Sequence, residues 1–150
     1  LTGRIAQEYG FNRYEVSNLS HPGFECRHNT NVWSGQTYLG CGPSASSFDG
    51  CIRWTNDMVL AKWLQQERKL DDQLNPEERA CEILAFGFRQ TKGWSPSEFQ
   101  IVSGEEMFEL RGAALDNLLQ SGLLKHQDGR LMPTEQGMLM NDTILSTLLL

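Results

Sequence analysis

The sequence predicts an α/β half followed by a helical half, and three observations carry that prediction. Near the start a helical pattern stops at Gly10, and an aromatic, β-branched run, Phe11 to Val16, follows with almost no loop. That is the helix-to-strand step of a parallel α/β layer. From Tyr14 to Phe48, in YEVSNLSHPGFECRHNTNVWSGQTYLGCGPSASSF, two extended apolar runs enclose a long polar insert. After the polar stretch Lys69 to Asn75 the rhythm changes to short helices with explicit caps. The domain boundary is therefore expected between residues 1–69 and 70–150.

Along the first half, Leu1, Ile5 and Tyr9 stand four apart, the spacing of one helix face. Glu15 lies inside the first strand signal, either on its polar face or paired. His21-Pro22-Gly23 is a turn signal. HNTNVW, His28 to Trp33, fits neither the helical nor the strand period, and Tyr38 to Gly42 returns to an apolar run. Gly40, Gly42 and Pro43 break regular structure, and Cys51 to Trp54 forms another short extended piece. Asn56 or Asp57 caps a helix reaching about Lys69, with Val59, Leu60, Trp63 and Leu64 on its apolar face. KLDDQLN, Lys69 to Asn75, reads as a linker.

In the second half, Asn75-Pro76-Glu77-Glu78 supplies a capping residue, a proline at the first helical position and a glutamate at the third. Ser95-Pro96-Ser97-Glu98 repeats that signature. Ser103 is expected to cap a third helix that stops at Gly122. Asp128-Gly129 marks a hairpin, and Thr134 caps a last helix carrying Leu139, Leu145 and Leu148. Three helices, a hairpin and a final helix make a winged-helix arrangement. Its charges argue against DNA. From Asn75 to Leu150 six Lys and Arg face eleven Asp and Glu, a net −5. In the reading position Glu105, Glu106, Glu109 and Asp116 are offset only by Arg111, a surface that repels phosphates. The module reads as a packing or interaction domain, with DNA binding the poorer alternative.

Composition sets the outer bounds. The chain has 150 residues and a net charge of −6, which opposes general attraction to nucleic acid or anionic membrane. No apolar run approaches the roughly 18 residues of a membrane span. Residue 1 is Leu rather than Met, which suggests a piece of something longer. Cys26, Cys41, Cys51 and Cys81 show neither a CxxC pair nor zinc spacing, and are expected to be reduced thiols of a cytoplasmic protein.

His28 is the leading candidate for chemistry. Its imidazole is suited to ligating a metal or haem iron, with Asn29 fixing the tautomer and Trp33 stacking on a flat ligand. The plainer alternative is a loop histidine bonded to backbone, with Trp33 plugging the core. Gly40-Cys41-Gly42-Pro43-Ser44-Ala45 matches GxGxxA, but Pro43 and the serines that follow do not start the helix a dinucleotide site requires. Two readings remain: glycines that let backbone approach a ligand, or a tight bend after a strand. His21, in a turn, and His126, on a hairpin, are expected to be solvated. There is no Ser-His-Asp arrangement, HExxH or P-loop.

YEVSNLSHPGFECRHNTNVW followed by YLGCGPSASSF resembles the HemW branch of the oxygen-independent coproporphyrinogen III oxidase-like (HemN-like) radical SAM family. That branch typically reads YEISN, a Pro-Gly turn, SRHN and YW, then YLGxGxGAHS. The resemblance covers essentially the whole chain. The family's LTxxG pattern appears as Met132-Pro133-Thr134-Glu135-Gln136-Gly137. The resemblance implies a C-terminal fragment: the last strands and helices of an incomplete (β/α) barrel, then a small winged-helix-like domain. It implies S-adenosylmethionine and a [4Fe–4S] cluster on an upstream CxxxCxxC, a motif absent from this chain, so enzyme activity by the chain alone is not expected. It further implies haem bound through HNxxYW and delivered to respiratory enzymes; the alternative within the family is oxidative decarboxylation of coproporphyrinogen III. The haem motif falls on His28, Asn29 and Trp33, with Val32 in place of the usual Tyr. The cofactor strand falls on Gly40, Gly42 and Ser46, where Ser46 stands in place of a His usual in the chaperone branch. Strands around Val16 and Leu39 that need barrel partners should leave apolar surface exposed along the first 55 residues.

Overall fold

The computed structural model describes residues 2–150, with side chains from Ile5 onward. Leu1, the first residue of the expected helical face, lies outside them. Helix α1 (Thr2–Glu8) leads into β1 (Asn12–Arg13), which pairs with β2 (Leu19–Ser20). Helix α2 (Arg27–Trp33) follows, then the sheet of β3 (Ser46–Phe48), β4 (Ile52–Asn56) and β5 (Arg68–Gln73), with the short helix α3 (Leu60–Leu64) between its last two strands. The second half comprises α4 (Pro76–Gly87), α5 (Pro96–Ser103), α6 (Met107–Gln120), a hairpin of β6 (Leu124–Gln127) and β7 (Arg130–Pro133), and α7 (Glu135–Leu139) with α8 (Asn141–Leu149).

The first half departs from the sequence reading in several places, among them the helix expected to reach Lys69, which ends at Leu64 as α3 because Arg68 and Lys69 join β5. Its described strand pairs are all antiparallel, so the expected parallel layer does not form within these residues. The connections explain this: short links such as Asp49 to Cys51 permit only a hairpin return, whereas a parallel pair needs a long crossover. The stretch His28 to Trp33, expected to be irregular, is helical. Asn and Thr are poor helix formers, so its apolar end at Val32 and Trp33 must be held by packing, a contribution that periodicity does not register. The apolar run Tyr38 to Gly42 contributes only a bridge between Tyr38 and Phe48, and Leu39 is exposed. Finally, Lys69 to Asn75 is no linker. Most of it is β5, an edge strand whose exposed charges resist further pairing, so a boundary at residues 69/70 cuts a strand.

The second half follows its caps. Both expected capping boxes form: Asn75 with Glu78, and Ser95 with Glu98. The third helix starts later than expected, because Ser103 closes α5 while the Glu106 carboxylate accepts from the Phe108 and Glu109 amides. Asp128 and Gly129 adopt positive φ, 52° and 72°, as the hairpin turn requires. Thr134 caps α7, and the expected single last helix breaks at Met140 into two. The main core lies here, among Leu84, Phe88, Phe99, Leu115, Leu131 and Ile144. By contrast the first half leaves Tyr9, Phe24 and Leu39 at 72%, 81% and 75% exposure, and the α3 residues Leu60 and Leu64 are exposed as well.

Two polar assemblies join the halves. The Glu15 carboxylate, 1% exposed, accepts from Trp33 Nε1 at 2.7 Å and from the Asn18 amide. Beside it, Glu15 bridges Gln90, Val16 N–H donates to Arg89 carbonyl at 2.9 Å, and Arg89 lies 4.4 Å over the Trp33 ring. Arg53 of β4 donates to Asp72 at 2.7 Å and to Glu82 of α4 at 2.8 Å. Chiefly the Glu82 bond holds the guanidinium's pKa above its ordinary value.

Replacing Trp33 with Phe should cost about 2–3 kcal/mol, because it leaves a buried carboxylate short of a donor. Urea unfolding checks this, and an unchanged midpoint contradicts it. A second prediction concerns pH. Arg130 Nη2 binds Glu98 at 2.5 Å and holds its carboxyl below the usual range. A depressed folded pKa stabilises above the unfolded value near about 4.3, and the gain is lost as pH falls through the folded value. With the Glu98 side chain 49% exposed, screening limits the effect. Glu98→Gln should lower stability at pH 7 by no more than about 1 kcal/mol, and the gap should close below about pH 4. Thermal melts across that range measure it.

Candidate functional site

Helix α2 carries the leading candidate, and its two ends are treated differently. Trp33, at the C-terminal end, is half-buried: its indole N–H is spent on Glu15, Arg89 covers one face, and Phe86 meets its edge at 6.3 Å between centroids. Trp33 therefore anchors the helix, and its exposed area is a wall rather than a free stacking platform. His28, at the N-terminal end, is exposed, and its ring meets Tyr38 edge-on at 6.5 Å. Asn29 does not reach the imidazole; its Oδ1 instead faces Cys26 Sγ at 3.5 Å.

Beside α2 lies a cavity of about 310 Å³, at the lower end of the range for small-molecule sites. Val32 and Trp33 contribute one wall, Tyr38 and Phe48 a second, and one face of α4 a third. That α4 face consists of Arg79, Glu82, Ile83 and Phe86, at helical spacing. The opposite α4 face, with Cys81, Leu84 and Ala85 and with Phe88 just past the helix end, is buried. Tyr38, Phe48, Arg53, Arg79 and Phe86 were not singled out by sequence reasoning. The 79/82/83/86 spacing was the available signal, and it becomes informative only once α4 is known to have two occupied faces. Tyr38 places a phenol on the same cavity wall system as Val32, the residue that stands where the motif has Tyr.

Gly40, Gly42 and Ser46 form a separate cluster. Asn56 Nδ2 donates to the Gly40 and Gly42 carbonyls at 3.2 and 3.0 Å, and the Gly40 amide donates to Ser47 Oγ at 3.0 Å. A Cβ at Gly40 would overlap the Ser46 carbonyl, so this glycine serves the close approach of two backbone segments. The Ser46 hydroxyl is exposed and pairs with Thr55 Oγ1 at 2.9 Å. No hydrogen bond joins this cluster to His28 among the described residues. The nearest connection runs from the His28 ring through Tyr38 to Phe48 at the end of β3.

The remaining candidates are peripheral. His21 Nδ1 donates to the Gly10 carbonyl at 3.1 Å and packs on Phe11, while His126 stacks on Phe108; both are exposed. All four cysteines are free, with Cys81 buried and its thiol pushed up by burial. Among the described residues no three His, Cys, Asp or Glu side chains gather as a metal site. No described helix is long and apolar enough to cross a membrane.

Comparison with known proteins identifies the family and the fold. Residues 74–140 match the HemN C-terminal domain family. The heme chaperone HemW of Mycobacterium tuberculosis is 31% identical over 93% of this chain and 35% of its own length. That of Bacillus subtilis is 26% identical over 95% of this chain and 39% of its own. This chain thus spans well under half the length of these curated relatives. The solved structure of the Escherichia coli coproporphyrinogen III oxidase HemN, a radical SAM enzyme, superimposes with a TM-score of 0.70 over 98% of this chain and 39% of that one. At 15% identity the likeness is one of fold. The HemN C-terminal domain and the relatives similar along nearly the whole chain show that the chain belongs to the HemW-type branch of the HemN-like radical SAM family.

Proposed function

We propose that this chain carries the haem-contacting face of a haem chaperone, with His28 as the iron ligand. The observation that carries the reading is the exposed His28 imidazole beside an aromatic-walled cavity, on a helix whose other end is fixed by a buried bond. An imidazole nitrogen binds haem iron directly, and a rigid helix holds it in one orientation. In this reading Trp33 positions α2 and lines the cavity, and Asn29 shapes the first turn through Cys26. Haem is cargo: accepted at His28 and passed on to respiratory enzymes. An exposed ligand residue suits release as well as capture.

The relatives' S-adenosylmethionine and [4Fe–4S] cluster belong to the same proposal at the level of the whole protein. The backbone of Gly40 and Gly42, drawn together by Asn56, and the exposed Ser46 hydroxyl would contact S-adenosylmethionine. That group supplies a radical on reductive cleavage when bound beside its cluster. The first half would complete an incomplete barrel with residues outside this chain, which accounts for apolar side chains such as Tyr9 and Leu39 left in the open. The second half is a winged-helix-like packing domain in a cytoplasmic protein, beginning at the end of β5. Arg111, the cation of its acidic third helix, is committed to the Leu148 carbonyl at 3.1 Å and faces Glu77, which speaks against a phosphate-reading surface.

Titration of the intact protein with ferric haem tests the ligand. His28→Ala should abolish the histidine-type Soret shift, while His126→Ala should titrate like the parent. A His28→Ala protein with the parent's spectrum and affinity contradicts the assignment.

A further inference from the structure

We infer that Arg79 is the anion anchor of this site, taking a carboxylate of a planar porphyrin whose metal is presented to His28. The inference rests on the haem reading above and adds the second point of attachment that a single axial ligand lacks. One bond to iron leaves a flat ring free to rotate about it, so capture in one orientation needs a charged contact at the ring's edge.

Two guanidiniums line the cavity, Arg53 and Arg79, and they are in different electrostatic states. Arg53 is fully committed. It donates to Glu82 Oε2 at 2.8 Å and Asp72 Oδ2 at 2.7 Å, and lies 4.9 Å over the Phe48 ring. Its charge is answered within the fold. Arg79 has no carboxylate within ion-pair distance among the described residues, and its one hydrogen bond goes to the Gly35 carbonyl at 3.5 Å, the limit of a useful contact. A half-buried guanidinium with unspent donors next to an apolar cavity favours a carboxylate, which it can hold with two parallel N–H bonds. The nearest acid on its own face, Glu82, is already held by Arg53. That pairing therefore does two things: it removes Arg53 as a competing anchor, and it prevents Glu82 from neutralising Arg79.

The cavity walls specify the rest of the ligand. Trp33, Tyr38, Phe48 and Phe86 surround it with ring surfaces, and its volume of about 310 Å³ admits one edge of a porphyrin rather than the whole ring. His28 stands outside that lining but touches it through the Tyr38 ring. The arrangement separates a metal-binding end from a carboxylate-binding end, with aromatic surface between them. Arg89, the neighbouring guanidinium over Trp33, does not line the cavity, which leaves Arg79 as the anchor.

The test uses the intact protein and two metal-free probes, protoporphyrin IX and its dimethyl ester, so that iron ligation plays no part. Arg79→Gln, with circular dichroism to confirm folding, should weaken protoporphyrin IX binding at least ~10-fold, the value of one charge-assisted hydrogen-bonded contact. Esterification should weaken binding to the parent protein to a similar degree and leave Arg79→Gln indifferent to it. Arg79→Lys should recover only part, since an ammonium lacks the planar fork. If Arg79→Gln discriminates acid from ester as well as the parent does, the anchor lies elsewhere and the inference is overturned. His126→Ala, remote from the cavity, should leave both metal-free affinities unchanged. Loss of the Arg79 effect with an intact His28 effect on ferric haem overturns this inference alone; the converse overturns the iron ligation alone.

Discussion

A buried carboxylate, Glu15, is the constraint on which the site depends. Carboxyl oxygens this far from water need hydrogen-bond partners, and here the indole of Trp33 and the amide of Asn18 supply them. Satisfying Glu15 fixes three things together. It closes the turn after β1, it pins the end of α2, and it sets both against the 89–91 segment through backbone bonds from Val16 and Thr91. A small first half with few buried apolar side chains could not hold a seven-residue helix by propensity. It holds α2 because the helical second half, with its own core, offers a surface against which Trp33 is locked.

This division of labour explains why an exposed histidine can still be well positioned. Precision in a binding group comes from the element that bears it, and α2 is restrained at the end remote from His28. The same helix α4 that buries Leu84 and Phe88 on one side presents Arg79, Glu82 and Phe86 to the cavity on the other. The HemN C-terminal domain thereby supplies one wall of the cavity beside α2. Arg53 makes the second connection, tying β4 and β5 to α4 across the cavity floor.

The second half was legible in the sequence because its signals are local. Asn75-Pro76 with Glu78, Ser95-Pro96 with Glu98 and Asp128-Gly129 each specify a cap or turn within four residues, and each forms as read. The third helix slipped because Glu106, three residues beyond Ser103, is the better-placed acceptor. The first half was harder for the opposite reason. HNTNVW has no amphipathic period, so its helix is invisible until Trp33 is seen to bond Glu15 eighteen residues away. KLDDQLN looked like a linker because an exposed edge strand has the composition of one. Among the site residues, His28 and Trp33 stood out by type and motif, whereas Arg79 and Tyr38 emerge only when two distant segments are brought to one cavity.

In the haem-chaperone proposal, α2 and the cavity-facing side of α4 act as one receptor surface. Amide hydrogen exchange on the intact protein, read with and without saturating ferric haem, addresses it directly. Slowed exchange is expected in residues 28–38 and 79–86 at the same haem concentration, with residues 107–120 unchanged. Protection confined to the third helix or the hairpin, with α2 exchanging at its unliganded rate, would contradict it.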